Sequence, residues 1–174
     1  MGISVISGNF LSALGKPNAV VIAPTNGVVR DGELVMGVGA ARSLAQRVPA
    51  LRRTFARLIE ERGEYVSDPG AYIYGFVVAQ IQERLYGAFQ TKLHYLDKAS
   101  LLLIRVSSWR LYRFLRENPK MEAHMAYPGV GYGKLDPERV MDALLDVARE
   151  FANVAQILPE SLTSRVFLYL KEKS

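Results

Sequence analysis

The stretch Gly129-Val130-Gly131-Tyr132-Gly133, read with its flanks from residue 125 to residue 140, is the centre of this sequence. The mostly apolar residues 122–127 before it are typical of a short buried strand, and Asp136-Pro137-Glu138 after it is typical of a helix start. Glycine lets backbone N–H groups approach a ligand closely, and a helix N-terminus favours negative charge. The stretch is therefore either a phosphate-binding loop or a tight connection that needs glycine for its turn.

A second glycine-containing segment, Met36-Gly37-Val38-Gly39-Ala40, also precedes a helical pattern, in which Leu44 and Val48 share one side. It is a second candidate anion loop at a helix N-terminus. Upstream, the apolar run of residues 19–23 suits a strand covered on both faces. That strand ends in Pro24-Thr25-Asn26-Gly27, and ligands of open α/β sheets bind at this carboxyl edge.

Strand and helix patterns alternate along the chain, which predicts an α/β class protein. We expect a single domain over residues 1–174, a three-layer α/β/α sandwich with a mixed, mostly parallel sheet of about six strands. The predicted strands are residues 3–6, 19–23, 73–81, 84–89, 122–127 and 165–170. The predicted helices include a short one capped by Asn9, a long one capped by Asp97 that ends near Glu117, and one over residues 137–154. Residues 28–33 and 65–72 are predicted to be loops.

The bulk composition excludes several classes of site. The chain has 174 residues, of which 49% are hydrophobic, so it can build a sizeable core. It has no cysteine and only two histidines, so we expect no disulfide, metal or cofactor, and the cytoplasm is the simplest location. No apolar run approaches the ~18 residues of a membrane span. The net charge of +5 favours anionic ligands, and arginines in residues 42–62 and 105–116 leave nucleic acid open as a partner.

The order of these segments resembles that of macro domains, the ADP-ribose-binding α/β/α modules. Gly8-Asn9-Phe10 is similar to the glycine-aspartate-hydrophobic element after the first strand, and residues 19–26 are similar to the apolar strand that ends in asparagine. The two glycine segments resemble the two ligand loops. The Met36-Gly37 pair and the stretch from Phe89 to Tyr95 resemble the branch that contains DNA and protein ADP-ribosyl glycohydrolases.

The resemblance implies that the two glycine segments sandwich the pyrophosphate and distal ribose, that Asn9 holds the adenine amine, and that Asn26 lies near the distal ribose. Tyr132 would stack beside a ribose or close the cleft. The residues that it assigns to ligand binding are Asn9, Phe10, Thr25, Asn26, Met36, Gly37, Val38, Gly39, Ala40, Pro128, Gly129, Val130, Gly131, Tyr132 and Gly133. The candidate catalytic residues are Asn26, His94 and Asp136.

The sequence departs from the family pattern at two of these positions. Asn9 replaces an aspartate, so it can accept a hydrogen bond from adenine only without charge assistance, and it can equally be a helix cap. Val38 stands where the glycohydrolase branch commonly has a lysine, which lowers the expectation of lysine-dependent chemistry. Asp136 suits either a general base or an N-cap, and His94 suits either an acid/base group or a residue that orders its loop.

We expect the chain to bind ADP-ribose or a related nucleotide, free or attached to a macromolecule, in a cleft between its two glycine segments. Alternatively, it is an enzyme that removes ADP-ribose from DNA or protein, or dephosphorylates an ADP-ribose phosphate. The third possibility is an interaction domain with a degenerate pocket.

Overall fold

The computed structural model describes residues 2–171. Its strands are β1 (Ser4–Ser7), β2 (Ala19–Thr25), β3 (Val29–Arg30), β4 (Glu33–Leu34), β5 (Glu64–Val66), β6 (Ala71–Ile73), β7 (Phe76–Ile81), β8 (Arg84–Gln90), β9 (Glu122–Ala126) and β10 (Val166–Leu170). Its helices are a short 3-10 helix (Phe10–Ala13), α1 (Gly39–Arg47), α2 (Leu51–Arg62), α3 (Leu101–Glu117), α4 (Pro137–Ala155) and α5 (Glu160–Thr163).

A six-stranded sheet forms the middle layer, with the strand order β1-β10-β9-β2-β8-β7. All neighbouring strands pair in parallel except β7 and β8, which form an antiparallel hairpin at one edge. This arrangement confirms the predicted mixed, mostly parallel sheet. Because β2 lies between β8 and β9, its carboxyl end is in the middle of the sheet edge.

Both faces of the sheet are covered, which explains the unbroken apolar run in β2. Val20 and Ile22 belong to the core under α3 and α4, whereas Val21 and Ala23 belong to the core under the 3-10 helix, α1 and α2. All four side chains are almost completely buried. The chain is therefore the three-layer α/β/α sandwich that the sequence predicts.

The two predicted loops are wrong, because each contains a small hairpin. Residues 28–33 include β3, which pairs with β4, and residues 65–72 include most of the β5–β6 hairpin. The Tyr65 and Tyr72 rings pack edge to face across that hairpin, with their centroids 5.1 Å apart. Ile73 belongs to β6, and the next strand starts only at Phe76, after Gly75 at φ +74°. Two-residue and three-residue strands are too short for a clear alternation of polar and apolar residues.

The predicted cap of the long helix is also wrong. Ser100 is the N-cap of α3, and its Oγ accepts a hydrogen bond from Leu103 N at 3.2 Å. Asp97 instead accepts a hydrogen bond from the backbone N of His94 at 3.1 Å, in the turn before the helix. Serine and aspartate are both favoured caps, so the sequence did not distinguish these two positions. No helix within residues 2–171 is long and apolar enough to cross a membrane.

Candidate ligand-binding site

The five parallel strands end at one edge of the sheet, and the predicted site residues follow four of them. Asn9 follows β1 after one glycine, Asn26 follows β2 directly, His94 lies in the loop after β8, and the loop after β9 contains Tyr132. The carboxyl edge of an open α/β sheet is where ligands bind. The topology thus brings the predicted segments to one end of the molecule.

The first glycine loop, residues 36–40, is held at its base and exposed at its tip. The Met36 side chain is completely buried, and the Asn26 Nδ2 donates a hydrogen bond to Val35 O at 2.9 Å. Gly39 is the first residue of α1 and has φ +60°, a conformation that favours glycine. Val38 is the N-cap of α1 and, being apolar, supplies no side-chain hydrogen bond to its first turn. The positive end of the α1 dipole is therefore uncapped.

The second glycine loop, residues 128–133, contains two glycines that packing requires. A Cβ added at Gly129, which has φ +79°, would lie 3.0 Å from Ile104 Cδ1, and one added at Gly133 would lie 2.7 Å from Ala99 Cβ. The N of Ala99 also donates a hydrogen bond to Gly133 O at 3.1 Å. Gly131, in contrast, is exposed and would place a Cβ in open space. Gly129 and Gly133 are therefore needed for the tight connection between β9 and α4. Gly131 has no such packing role and is accessible to a ligand.

The two glycine loops meet at one point. A Cβ added at Gly39 would lie 3.2 Å from Cδ2 of Tyr132, whose side chain is 66% exposed. Within residues 2–171, the backbone N–H groups of residues 37–41 and 130–133 donate no hydrogen bond. Two segments with free amides therefore lie side by side. Such an arrangement can bind the oxygens of a phosphate or pyrophosphate.

Asn26 is a structural clamp as well as a predicted ligand residue. Its Oδ1 accepts a hydrogen bond from Val28 N at 2.8 Å, while its Nδ2 holds the first glycine loop. Its backbone O accepts a hydrogen bond from the Tyr74 hydroxyl at 2.7 Å. Since that bond uses the only proton of Tyr74, the Thr25 hydroxyl is the donor in its own bond to Tyr74. Burial raises the pKa of Tyr74, so this hydroxyl stays protonated.

Gln90 completes this buried polar cluster, a role that no local sequence pattern predicted. Its Oε1 accepts hydrogen bonds from Tyr74 N and Gly75 N, at 2.9 and 3.0 Å, and its Nε2 donates to Tyr72 O and Lys92 O, at 2.8 and 3.2 Å. The side chain is completely buried. The signal in the sequence was a glutamine directly after the apolar residues Ala88 and Phe89 of a central strand.

Gly27 is a second residue whose role the sequence did not indicate. Its N donates a hydrogen bond to Leu93 O at 2.8 Å, and its O accepts one from Tyr72 N at 2.7 Å. A Cβ at this position would lie only 2.1 Å from Tyr72 O. Gly27 is therefore needed for close approach of three chain segments and keeps the end of β2 beside the loop after β8.

Asn9 is the N-cap of the 3-10 helix, which was one of the two roles predicted for it. Its Oδ1 accepts a hydrogen bond from Leu11 N at 2.9 Å, at the start of the 3-10 helix, and the residue is exposed. Phe10 is buried, with 4% of its surface exposed, and packs in the core beside α1 and α2. An amide oxygen has two lone pairs, so the cap leaves Asn9 able to accept one further hydrogen bond.

Asp136 is likewise the N-cap of α4. Its Oδ1 accepts a hydrogen bond from Glu138 N at 3.0 Å, and Pro137 occupies the first turn. The same helix start is held by Tyr127, whose hydroxyl donates a hydrogen bond to Pro137 O at 2.6 Å. Burial raises the pKa of Tyr127, and the carboxylate of Asp136 adds to that shift. These contacts fix the end of the second glycine loop.

His94 orders its own loop. Its Nδ1 accepts a hydrogen bond from Leu96 N at 3.1 Å, and its ring packs on Tyr95 with the centroids 4.1 Å apart. Arg30, from the β3–β4 hairpin, donates a hydrogen bond to the Tyr95 hydroxyl at 2.9 Å. This bond raises the pKa of Arg30. The contact ties the loop after β8 to the hairpin that follows Asn26.

His124 lies in the core on β9, next to β10. Its side chain is almost completely buried, and its two ring nitrogens bond to the Tyr169 hydroxyl at 2.8 Å and to Glu122 at 3.1 Å. Burial lowers the pKa of His124, although the neighbouring Glu122 opposes that shift. His124 is therefore a core residue whose two ring nitrogens both have partners.

Comparisons with known proteins show the fold. No family model matches the chain, and no curated protein matches it. Among solved structures, the macrodomain of Mycobacterium tuberculosis DarG is 21% identical, with a TM-score of 0.68, and the match covers 99% of this chain and all of that one. The macrodomain of Thermus aquaticus DarG is 18% identical, with a TM-score of 0.67 and 98% of both chains covered. Thermosipho africanus DarTG in complex with ADP-ribose is 14% identical, with a TM-score of 0.67, over 98% of this chain and 42% of that one.

Proposed function

From the premise that this chain has the macrodomain fold, we propose that it binds ADP-ribose, free or attached to a macromolecule, between its two glycine loops. The observation that supports this most is the contact of Tyr132 with Gly39, which brings the free amides of residues 130–133 beside those of residues 37–41. A similar fold is found in a protein whose structure contains ADP-ribose.

The pyrophosphate would bind at the N-terminus of α1. This helix has nine residues, and its first turn has no acidic residue and no side-chain cap. No capping side chain therefore competes with an anion for the first amides, and no carboxylate of the first turn repels it. The exposed Gly131 on the opposite loop presents its amide without a side chain. An anion at a helix N-terminus is stabilised by typically 0.3–1 kcal/mol, or about 2 kcal/mol where it is partly buried.

The two ends of the ligand would be held by the asparagines that follow β1 and β2. Asn9 would accept a hydrogen bond from the adenine amine with the lone pair that its cap does not use. Asn26 would lie beside the distal ribose, held rigid by its bonds to Val28 and Val35 and by Thr25 and Tyr74 behind it. Tyr132, exposed beside Gly39, would cover the ribose.

Hydrolysis of ADP-ribosyl linkages is the alternative function, and the contacts give it less support than binding. Asn26, His94 and Asp136 each use side-chain atoms to hold neighbouring backbone. Val38 offers no amine or other polar group at the exposed tip of the first glycine loop. A catalytic role for these residues, a nucleic acid as the carrier of the ADP-ribose and a cytoplasmic location all stay predictions.

Calorimetry with ADP-ribose tests the proposal, and Gly131→Asp is the informative variant. A Cβ at Gly131 would meet nothing within 4 Å, so there is room for the new side chain, which places a negative charge between the amides. We expect wild-type binding in the micromolar range, and affinity at least about tenfold weaker in Gly131→Asp, equivalent to about 1.4 kcal/mol. Gly2→Asp is the matched control, since a side chain at Gly2 also meets nothing. No heat at high micromolar ADP-ribose would overturn the proposal.

A further inference from the structure

A cavity of about 590 Å³ lies at the amino edge of the sheet, the end opposite to the glycine loops. It is bounded by the turn before β2, which contains Lys16 and Asn18, and by the β7–β8 turn, which contains Gln82 and Glu83. β2 separates the two ends and, at about 3.3 Å per residue, is roughly 20 Å long. A ligand in this cavity would therefore not touch residues 36–40 or 128–133.

The cavity has an apolar floor and a polar rim. Ala13, Val21 and Tyr86 are buried side chains of the floor, with 1%, 3% and 5% of their surfaces exposed. The rim adds the amides of Asn18 and Gln80. Its volume falls within the range of about 300–1,000 Å³ that is usual for small-molecule sites. The exposed lining of the cavity is more polar than apolar, which favours a polar or charged ligand over a purely apolar one.

The charge of the rim is mainly positive. Lys16 and Arg84 line the cavity, and Arg47 lines an adjoining cavity of about 260 Å³ that shares Leu14, Gly15, Arg84 and Tyr86 with it. Glu83 is the one acidic residue among those that line the two cavities. Among the described residues, Lys16, Arg47 and Arg84 form no ion pair. These cations lack protein partners and are available to an anion.

Arg84 is placed to serve both cavities. One terminal guanidinium nitrogen lies 3.7 Å from the position that a Cβ would have on Gly15, so the side chain reaches across to the turn before β2. The absence of a side chain at Gly15 leaves room for this approach. A planar guanidinium on one wall and the Lys16 ammonium on the other can bind a phosphate through charge-assisted hydrogen bonds.

We propose that this cavity is a second anion site, which binds a small phosphomonoester that carries an aromatic group, of nucleoside-monophosphate size. The phosphate would bind to Lys16 and Arg84, and the aromatic group would pack on the apolar floor, of which Tyr86 is part. The rim amides of Asn18 and Gln80 would hydrogen-bond to its polar edges. This site is independent of ADP-ribose binding at the carboxyl edge.

Amide NMR spectra of the full chain, titrated with AMP, inorganic phosphate and adenosine, test the proposal. We expect AMP to shift the amides of Gly15, Lys16, Asn18 and residues 82–86 with saturation, and phosphate to shift the same amides more weakly. Adenosine, which lacks the phosphate, should shift them little. AMP shifts confined to residues 37–41 and 130–133 would overturn the proposal, and so would equal affinity for adenosine. Because each site has its own amides, failure here is distinguishable from failure to bind ADP-ribose.

The double variant Lys16→Gln, Arg84→Gln provides the second measurement. We expect its affinity for AMP at residues 15–18 and 82–86 to fall by about tenfold or more, since two charge-assisted contacts are lost. The control is Arg53→Gln, Arg57→Gln, which removes the same charge from two exposed residues of α2. An unchanged affinity in the first variant, or an equal loss in the control, would overturn the site. The amide spectra also report whether each variant is folded.

Discussion

The ring of Tyr132 lies against Gly39, so the loop after β9 touches the first residue of α1. This contact joins two segments that are more than ninety positions apart in the sequence. Gly39 permits it in two ways, because it adopts φ +60° and because it has no side chain to displace the ring. The width of the space between the two glycine loops is set at this point.

Gly39→Ala should therefore be destabilising and should disturb ligand binding. A left-handed conformation costs a non-glycine residue roughly 1–2 kcal/mol, and the added Cβ would lie 3.2 Å from the Tyr132 ring. Urea unfolding and ADP-ribose calorimetry measure the two effects. Gly37→Ala is the control for stability, because its Cβ meets nothing within 4 Å, and its effect should stay within about 0.5 kcal/mol. Equal stabilities of the two variants would contradict this explanation.

Asn9→Asp should separate the cap from the proposed adenine contact. Aspartate is as good a cap as asparagine, so the unfolding free energy should change by less than about 0.5 kcal/mol. A charged acceptor makes a stronger hydrogen bond, by about 1 kcal/mol, so ADP-ribose affinity should rise about fivefold. Calorimetry on wild type and variant gives the comparison. If affinity for ADP-ribose is unchanged or falls, Asn9 is a cap alone.

We expect Asp136 to contribute to the free energy of unfolding as the N-cap of α4. Asp136→Ala removes the bond to Glu138 N and should cost about 1 kcal/mol, whereas Asp136→Asn keeps an acceptor and should cost little. Thermal or urea unfolding of both variants measures this difference. ADP-ribose affinity should remain close to the wild-type value in Asp136→Asn. A large loss of affinity in that variant would instead indicate a direct role at the ribose.

A strand or helix was predictable where its hydrophobic pattern was long or where a characteristic capping residue marked its start. The apolar run of β2 and the Asp136-Pro137 start of α4 both agree with the structure. The β5–β6 hairpin was missed, because three-residue strands have too little periodicity. The cap of α3 was assigned to Asp97 when Ser100 fills it, since local sequence does not rank two good caps three residues apart.

The exposed loops of the candidate site were predictable from the sequence. The buried residues that hold these loops in place were not. The two glycine loops could be identified from composition, whereas the close approach of Gly27 to Tyr72 depends on strands that are distant in sequence. The role of Gln90 was hidden for the same reason, because three of its four partners lie in residues 72–75, at least fifteen positions away in the sequence. Pairing of this kind is a tertiary property and leaves no periodic signal.

Gln90→Met should test whether the buried polar cluster supports the site. The variant keeps the side-chain volume but leaves Tyr74 N, Gly75 N and two carbonyls without these bonds, which should cost about 2 kcal/mol or more. Gln80→Met, on the exposed side of β7, is the matched control and should stay within about 0.5 kcal/mol. Urea unfolding measures both variants. Similar stabilities would show that Gln90 is dispensable.

The most direct test of ADP-ribose binding between the two glycine loops is an amide NMR titration of the full chain with ADP-ribose. The free amides of residues 37–41 and 130–133 should shift together and saturate at one affinity, because both segments would contact the same pyrophosphate. The amides of α5, which precedes β10 at the opposite edge and lines neither proposed site, serve as the internal reference. Absence of shifts in residues 37–41 and 130–133, or shifts in one segment alone, would contradict the proposed binding.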